Sequence, residues 1–172
     1  SMYMGISPGN VGSMNHLDVY RREAQRDFAD GSGVMARAIV EGLFGIEPDA
    51  LSGVLELRPG LPSHWPRASL THPNLKLAFM REGLVDRWSV AQFGVHRFRL
   101  LKLRVPATHE KVASVTVNGQ QAEWHADSES VGRPMLEIVT TMSANKPVVV
   151  QIEWAGAKLQ LKDVPGNRFA QT

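Results

Sequence analysis

The sequence predicts a mainly β protein: an antiparallel two-layer β-sandwich of about eight or nine strands, preceded by one or two N-terminal α-helices. Three observations carry this reading. Apolar residues recur at helical spacing as far as Leu43, and beyond Leu51 they recur at every second position through to Trp154. The strands are apolar on one phase only, which suits a sandwich rather than a parallel α/β sheet. Asn118-Gly119 follows the run Val115-Thr116-Val117 and supplies the two residues tolerant of positive φ that a tight type I′ hairpin demands.

The elements follow in order. Asn15 is placed to cap a first helix ending near Arg26, with Asp18 in the first turn, where negative charge is favoured. Leu17, Val19, Tyr20 and Ala24 are its apolar residues; Arg21, Arg22, Glu23, Gln25 and Arg26 make it mostly polar. Asp30-Gly31-Ser32-Gly33 breaks the chain. Ser32 then caps a second helix, whose Met35, Ala38, Ile39, Gly42 and Leu43 share one face. Gly45 and Pro48 end it, which divides the chain into a helical segment over 1–47 and a sandwich over 48–172.

Leu55 and Leu57 open the alternating region. Leu75, Leu77 and Phe79 follow, then Trp88 and Val90, and finally Val148, Val150, Ile152 and Trp154. Between His96 and Val105 two phases compete: Phe98 and Leu100 on one, Leu101, Leu103 and Val105 on the other. A single β-bulge or bend near Leu100 would reconcile them. The hairpin at Asn118-Gly119 pairs the strand ending at Val117 with residues 121–125. Ser128 to Pro134 reads as a loop, Met135 to Met142 as a strand, and the tail after Leu161 as frayed.

Composition bounds the function. At 172 residues, with 43% apolar and 21% charged residues, the chain is one folded domain, or one domain with an appendage, rather than a disordered segment. The net charge is +2 and the basic residues are scattered, so no nucleic-acid partner is expected. No apolar run approaches membrane-spanning length, so no membrane partner is expected either. With no cysteine there are no disulfides and no thiolate chemistry.

Gly5-Ile6-Ser7-Pro8-Gly9 matches G-x-S-x-G, but Pro8 lacks the N–H that the residue after a serine nucleophile gives to an oxyanion hole. It reads as a turn. The six histidines show no tight ligand spacing and no nucleotide or calcium motif is present, so neither a metal site nor a cofactor is expected. Trp88 and Trp154 lie on the apolar phase of their strands and read as core. Trp124 reads equally as core or surface, and Trp65, in a loop, is a candidate platform for stacking a sugar ring.

Two stretches carry a resemblance. Val40-Glu41-Gly42-Leu43-Phe44-Gly45-Ile46-Glu47-Pro48-Asp49 is followed by Leu55-Glu56-Leu57-Arg58-Pro59-Gly60-Leu61-Pro62-Ser63-His64-Trp65-Pro66. A helix entering an all-β region through this pattern resembles the C-terminal part of glycoside hydrolases built on an (α/α)6 barrel, the α-L-rhamnosidase-like and related families. The resemblance implies a C-terminal accessory and structural fragment, inactive alone, that packs on an upstream catalytic domain of the same polypeptide and reaches carbohydrate through the full-length enzyme. It also implies a periplasmic or extracellular parent.

In such barrels the loops leading into the final helices reach the mouth. That makes Asn15, His16, Asp18, Arg22, Arg26 and Asp27, together with Trp65, the candidate substrate contacts. The run from Asn15 to Asp27 also reads simply as a solvated helix. Glycoside hydrolysis generally needs two carboxyl groups about 5–5.5 Å apart for retention or about 6.5–9.5 Å for inversion. The resemblance puts the principal acids on earlier helices, so no catalytic residue is assigned here. The alternative function is a non-catalytic carbohydrate-binding module. The apolar helix face around Met35, Ala38 and Leu43 is the expected contact for the barrel, or for a second copy in a homodimer.

Overall fold

The computed structural model describes residues 30–94, 97–128, 130, 133–144 and 146–159. The expected first helix, the Gly5–Gly9 turn and the tail after Leu161 lie outside the described residues. Helix α1 spans Asp30–Arg37 and runs directly into a π-helical turn, Ala38–Leu43, closed by the Phe44 N–H donating to the Ile39 carbonyl five residues back at 3.0 Å. Only this last, wider turn reaches the sandwich. Val40, Leu43 and Phe44 pack on the core, while Met35, Ala38, Ile39 and Gly42 are exposed. The expected shared face assumed uniform helical spacing to Gly45, and a π turn breaks that spacing by one residue.

Eleven strands follow among the described residues: β1 (Ile46–Asp49), β2 (Val54–Leu57), β3 (Arg67–His72), β4 (Leu75–Glu82), β5 (Val85–Gln92), β6 (Leu100–Pro106), β7 (His109–Val117), β8 (Gln120–Gln121), β9 (His125–Ala126), β10 (Met135–Thr141) and β11 (Val148–Lys158). They form two sheets, ordered β1-β2-β6-β10-β9 and β3-β4-β5-β11-β7-β8. The protein is a β-sandwich. Every pairing is antiparallel except β2 on β6, which is parallel.

The two inner faces supply the core. Leu55, Leu57, Leu101, Leu103 and Ile138 come from one sheet, and Leu77, Val90, Val115, Val150, Ile152 and Trp154 from the other; all are fully buried. The period-two alternation read from these strands is the physical mark of that one-sided burial. At the predicted hairpin, Asn118 and Gly119 adopt φ of +53° and +83°, and Val117 pairs with Gln120.

Three local readings differ from the structure. Asp30–Gly33, expected to break the chain ahead of a cap at Ser32, are instead the first residues of α1. No bulge interrupts β6, whose register with β10 is regular from Leu100 to Pro106. The phase conflict arises because Phe98 lies before the strand, where the buried Gln92 holds it. The Gln92 Nε2 donates to the Phe98 carbonyl at 2.9 Å, and the Phe98 N–H donates to Gln92 Oε1 at 2.8 Å. A glutamine amide can satisfy a backbone N–H and C=O together, so the segment docks on the sandwich as if it were ladder. The expected strand over 121–125 is likewise divided. β8 ends at Gln121, and His125 begins β9 in the other sheet.

Gln92→Ala removes both bonds and leaves the half-buried Phe98 N–H and C=O without their partner. A stability loss of about 1–3 kcal/mol is expected in urea unfolding; a loss below about 0.5 kcal/mol would contradict the docking role.

Candidate functional site: the Pro59–Pro66 loop and its anchor

The two stretches that carry the resemblance interlock. The Arg58 N–H donates to the Gly45 carbonyl at 2.8 Å and the Gly60 N–H to the Leu43 carbonyl at 3.0 Å. Gly45 has φ +60°, and a Cβ there would stand 2.0 Å from the Arg58 carbonyl oxygen. A side chain has no room where the helix crosses the chain leaving β2.

From Pro59 the chain turns over the end of the sandwich as a loop to Pro66, and Arg81 of β4 holds it there. The Arg81 Nη1 donates to the Ser63 carbonyl at 3.0 Å and its backbone N–H to the Pro66 carbonyl at 2.7 Å. The guanidinium is fixed from behind by Asp86 of β5, with Nε to Oδ1 at 2.6 Å and Nη2 to Oδ2 at 2.7 Å. Trp154 Nε1 donates to the same Oδ2 at 3.0 Å. Asp86 is 3% exposed, and its carboxylate is a paired, hydrogen-bonded charge, the form in which a buried charge is tolerable. The Arg81 guanidinium also lies 5.3 Å from the centroid of the Phe79 ring, at cation–π range.

This arrangement positions a loop. Asp86 has both oxygens committed to Arg81 and Trp154, which fixes the guanidinium behind the loop. The space left between Pro59, Leu61, Arg81, Asp86, Trp88 and Thr108 is about 20 Å³. That is room for about one water molecule and far short of the roughly 300 Å³ at which small-molecule sites begin.

A second charged group lies on the outer face of the five-stranded sheet. Arg104 of β6 bonds Asp127 and, at 3.0 Å, Glu56 of β2; Lys102 reaches Glu137 of β10 at 3.1 Å. The hydrogen bond that Arg104 donates to Asp127, then the one it donates to Glu56, raises the Arg104 pKa above its ordinary value, so this guanidinium stays charged at every pH at which proteins fold. With cations on the central strand and carboxylates on its neighbours, the charges alternate across the sheet and knit β2, β6 and β10 together. Among the described residues no group of three or more His, Cys, Asp or Glu side chains is arranged to hold a metal ion.

Of the sequence-derived candidates, Asn15, His16, Asp18, Arg22, Arg26 and Asp27 lie outside the described residues. Trp65 is half-buried in the anchored loop, its N–H donating to the Pro62 carbonyl at 3.0 Å. Trp88 and Trp154 are core, as their phase implied, and Trp124 is 38% exposed. Sequence reading missed Arg81 and Asp86. The available signal was Asp86 itself, a charge on the inward phase of β5 two residues before Trp88, which demands a partner. Comparison with known proteins finds no matching protein family and no matching curated relative.

Proposed function

We propose that this chain is the C-terminal accessory β-sandwich of a glycoside hydrolase: a structural part, catalytically inactive alone, joined through its helical lead-in to an (α/α)6 catalytic barrel and adjoining that enzyme's carbohydrate cleft. The observation that carries the proposal is the interlock at Gly45–Arg58 and Leu43–Gly60. It makes one rigid junction of the two stretches that resemble the ends of such enzymes. Val34, Met35 and Ile39 are exposed on the helix leading into that junction, an apolar surface of the kind a helical neighbour covers. The anchored Pro59–Pro66 loop begins at this junction, where Gly60 bonds Leu43, and Trp65 is its candidate contact with sugar.

The test is direct. The purified chain, assayed against a panel of aryl glycosides, is expected to give no turnover; robust hydrolysis would overturn the proposal. The exposed Trp124 favours the second reading, a non-catalytic carbohydrate-binding module, because an exposed indole can stack on a pyranose face. Calorimetric titration of the same sample with oligosaccharides separates the two. Heat of binding that Trp124→Ala abolishes would select the binding module, and no heat with any glycan would favour the structural part.

A further inference from the structure

Among the described residues, three of the sandwich's four sheet edges are blunted. β9 is two residues long, β1 carries Pro48, and the edge of β7 that the two-residue β8 leaves uncovered carries Glu110 and Lys111 and is irregular in its register with β11. Such devices keep edge strands from pairing with other chains. The fourth edge is different. β3 is six residues long, Arg67-Ala68-Ser69-Leu70-Thr71-His72, with no proline and no inward charge.

The hydrogen-bond phase of this strand is fixed by its neighbours. The Arg81 N–H donates to the Pro66 carbonyl, which makes Pro66 and Arg81 a hydrogen-bonded position, and the Phe93 N–H to Asn74 carbonyl bond puts β4 and β5 in the matching phase. Alternation along an antiparallel ladder then bonds Ala68, Leu70 and His72 to β4. Arg67, Ser69 and Thr71 therefore aim their N–H and C=O groups away from the sheet, and these have no partner among the described residues.

We infer that β3 is a strand-addition edge and that its occupant is β3 of a second copy of this chain, antiparallel about a two-fold axis through Ser69. In that register Ser69 faces Ser69 of the copy and each Arg67 faces a Thr71. All three outward residues find hydrogen-bonded partners, about six bonds at two per pair. The inner face matches in the same register. Ala68 falls opposite Leu70 of the copy; both are only half-buried in the single chain although they pack on its core, and the pairing covers them.

Neighbouring registers are worse. An axis through Arg67 sets two guanidinium groups opposite each other, and an axis through Thr71 brings Pro73, which has no N–H, opposite Ser69. An isologous contact of this kind closes on itself and yields a dimer with one continuous sheet rather than a fibre. This inference stands on β3 alone and does not depend on the glycosidase reading.

Two variants of the full chain test it. The Ser69 N–H points away from β4, so Ser69→Pro spares the β3–β4 ladder but removes a donor at the centre of the contact. In sedimentation equilibrium the wild type is expected to be a dimer, with Ser69→Pro weakening it at least about tenfold. The chain has no cysteine, so Ser69→Cys introduces a single thiol. Directly opposite Cα atoms about 5.5 Å apart lie within disulfide reach. Under mild oxidation Ser69→Cys is expected to form a covalent dimer and Ser89→Cys, two strands inward, is not. A wild type still monomeric at about 1 mM, a dimer indifferent to Ser69→Pro, as one built through the α1 face would be, or equal cross-linking of both cysteine variants overturns the inference. If Ser69→Pro fails to fold by circular dichroism, the cysteine pair decides alone.

Discussion

Gly45→Ala is expected to cost about 3 kcal/mol or more, and to leave a sandwich that unfolds well before the wild type in urea. Two effects add at this position. An alanine at φ +60° pays the left-handed penalty, on the order of 1–2 kcal/mol. Its Cβ would also meet the Arg58 backbone at 2.0 Å from the carbonyl oxygen and 2.1 Å from the carbonyl carbon, atoms that cannot swing aside as a flexible side chain would. Relief requires the start of β1 and the turn before it to draw away from the chain leaving β2, which strips Phe44 and Ile46 from the core and breaks the bond from Arg58 to Gly45. Gly83→Ala is the control. Gly83 has φ +57° with nothing within 4 Å, so it carries the conformational penalty alone. Equal losses in the two variants would mean that the crossing of the helix over the chain is not tight.

The second large effect is expected for Asp86→Ala. Its removal orphans two guanidinium bonds and the Trp154 indole N–H at once. Truncating one member of a buried pair typically costs 3–5 kcal/mol. The Arg81 side chain is 24% exposed and recovers part of its hydration, which places the expected loss at the lower end, about 3 kcal/mol. The loss should also have a location. With its guanidinium unfixed, Arg81 releases Ser63, so the Trp65 and Arg81 backbone N–H groups should exchange with solvent faster relative to those of β11. Asp86→Asn, which keeps one acceptor, should fall between. A loss below about 1 kcal/mol, or uniform acceleration of exchange, would show that the anchor contributes little.

The parts of the fold visible in the sequence are those where one physical rule acts alone. β2, β4, β5 and β11 were legible because each buries one face of a pleated strand, and alternation is the direct trace of that burial. Asn118-Gly119 was legible because few residues accept positive φ in succession. What stayed hidden depends on partners far along the chain. Gln92 imitates a strand for Phe98, Arg81 catches a loop 18 residues upstream, and β2 lies parallel to β6; none leaves a local periodicity. The loop site was half legible. Trp65 and the prolines marked it, but the anchoring pair sits on strands whose inward phase is otherwise apolar.

The parallel pairing of β2 with β6 reaches further than its four residue pairs suggest. Leu57 lies beside Leu103, and the whole β3–β4–β5 meander of the opposite sheet is strung between them. The five-stranded sheet thus consists of two short-range pairs, β1–β2 and β9–β10, that meet only through β6. Bringing them together closes a long loop, and the entropy of that closure must be met before any contact of the sheet repays it. The meander needs no such closure, because its strands are joined by tight turns. The meander is local in the chain, but its sheet is completed only when β11 reaches back to β5, so both sheets need a distant closure, and Leu101, Leu103 and Val105 on β6 are where that of the five-stranded sheet is made.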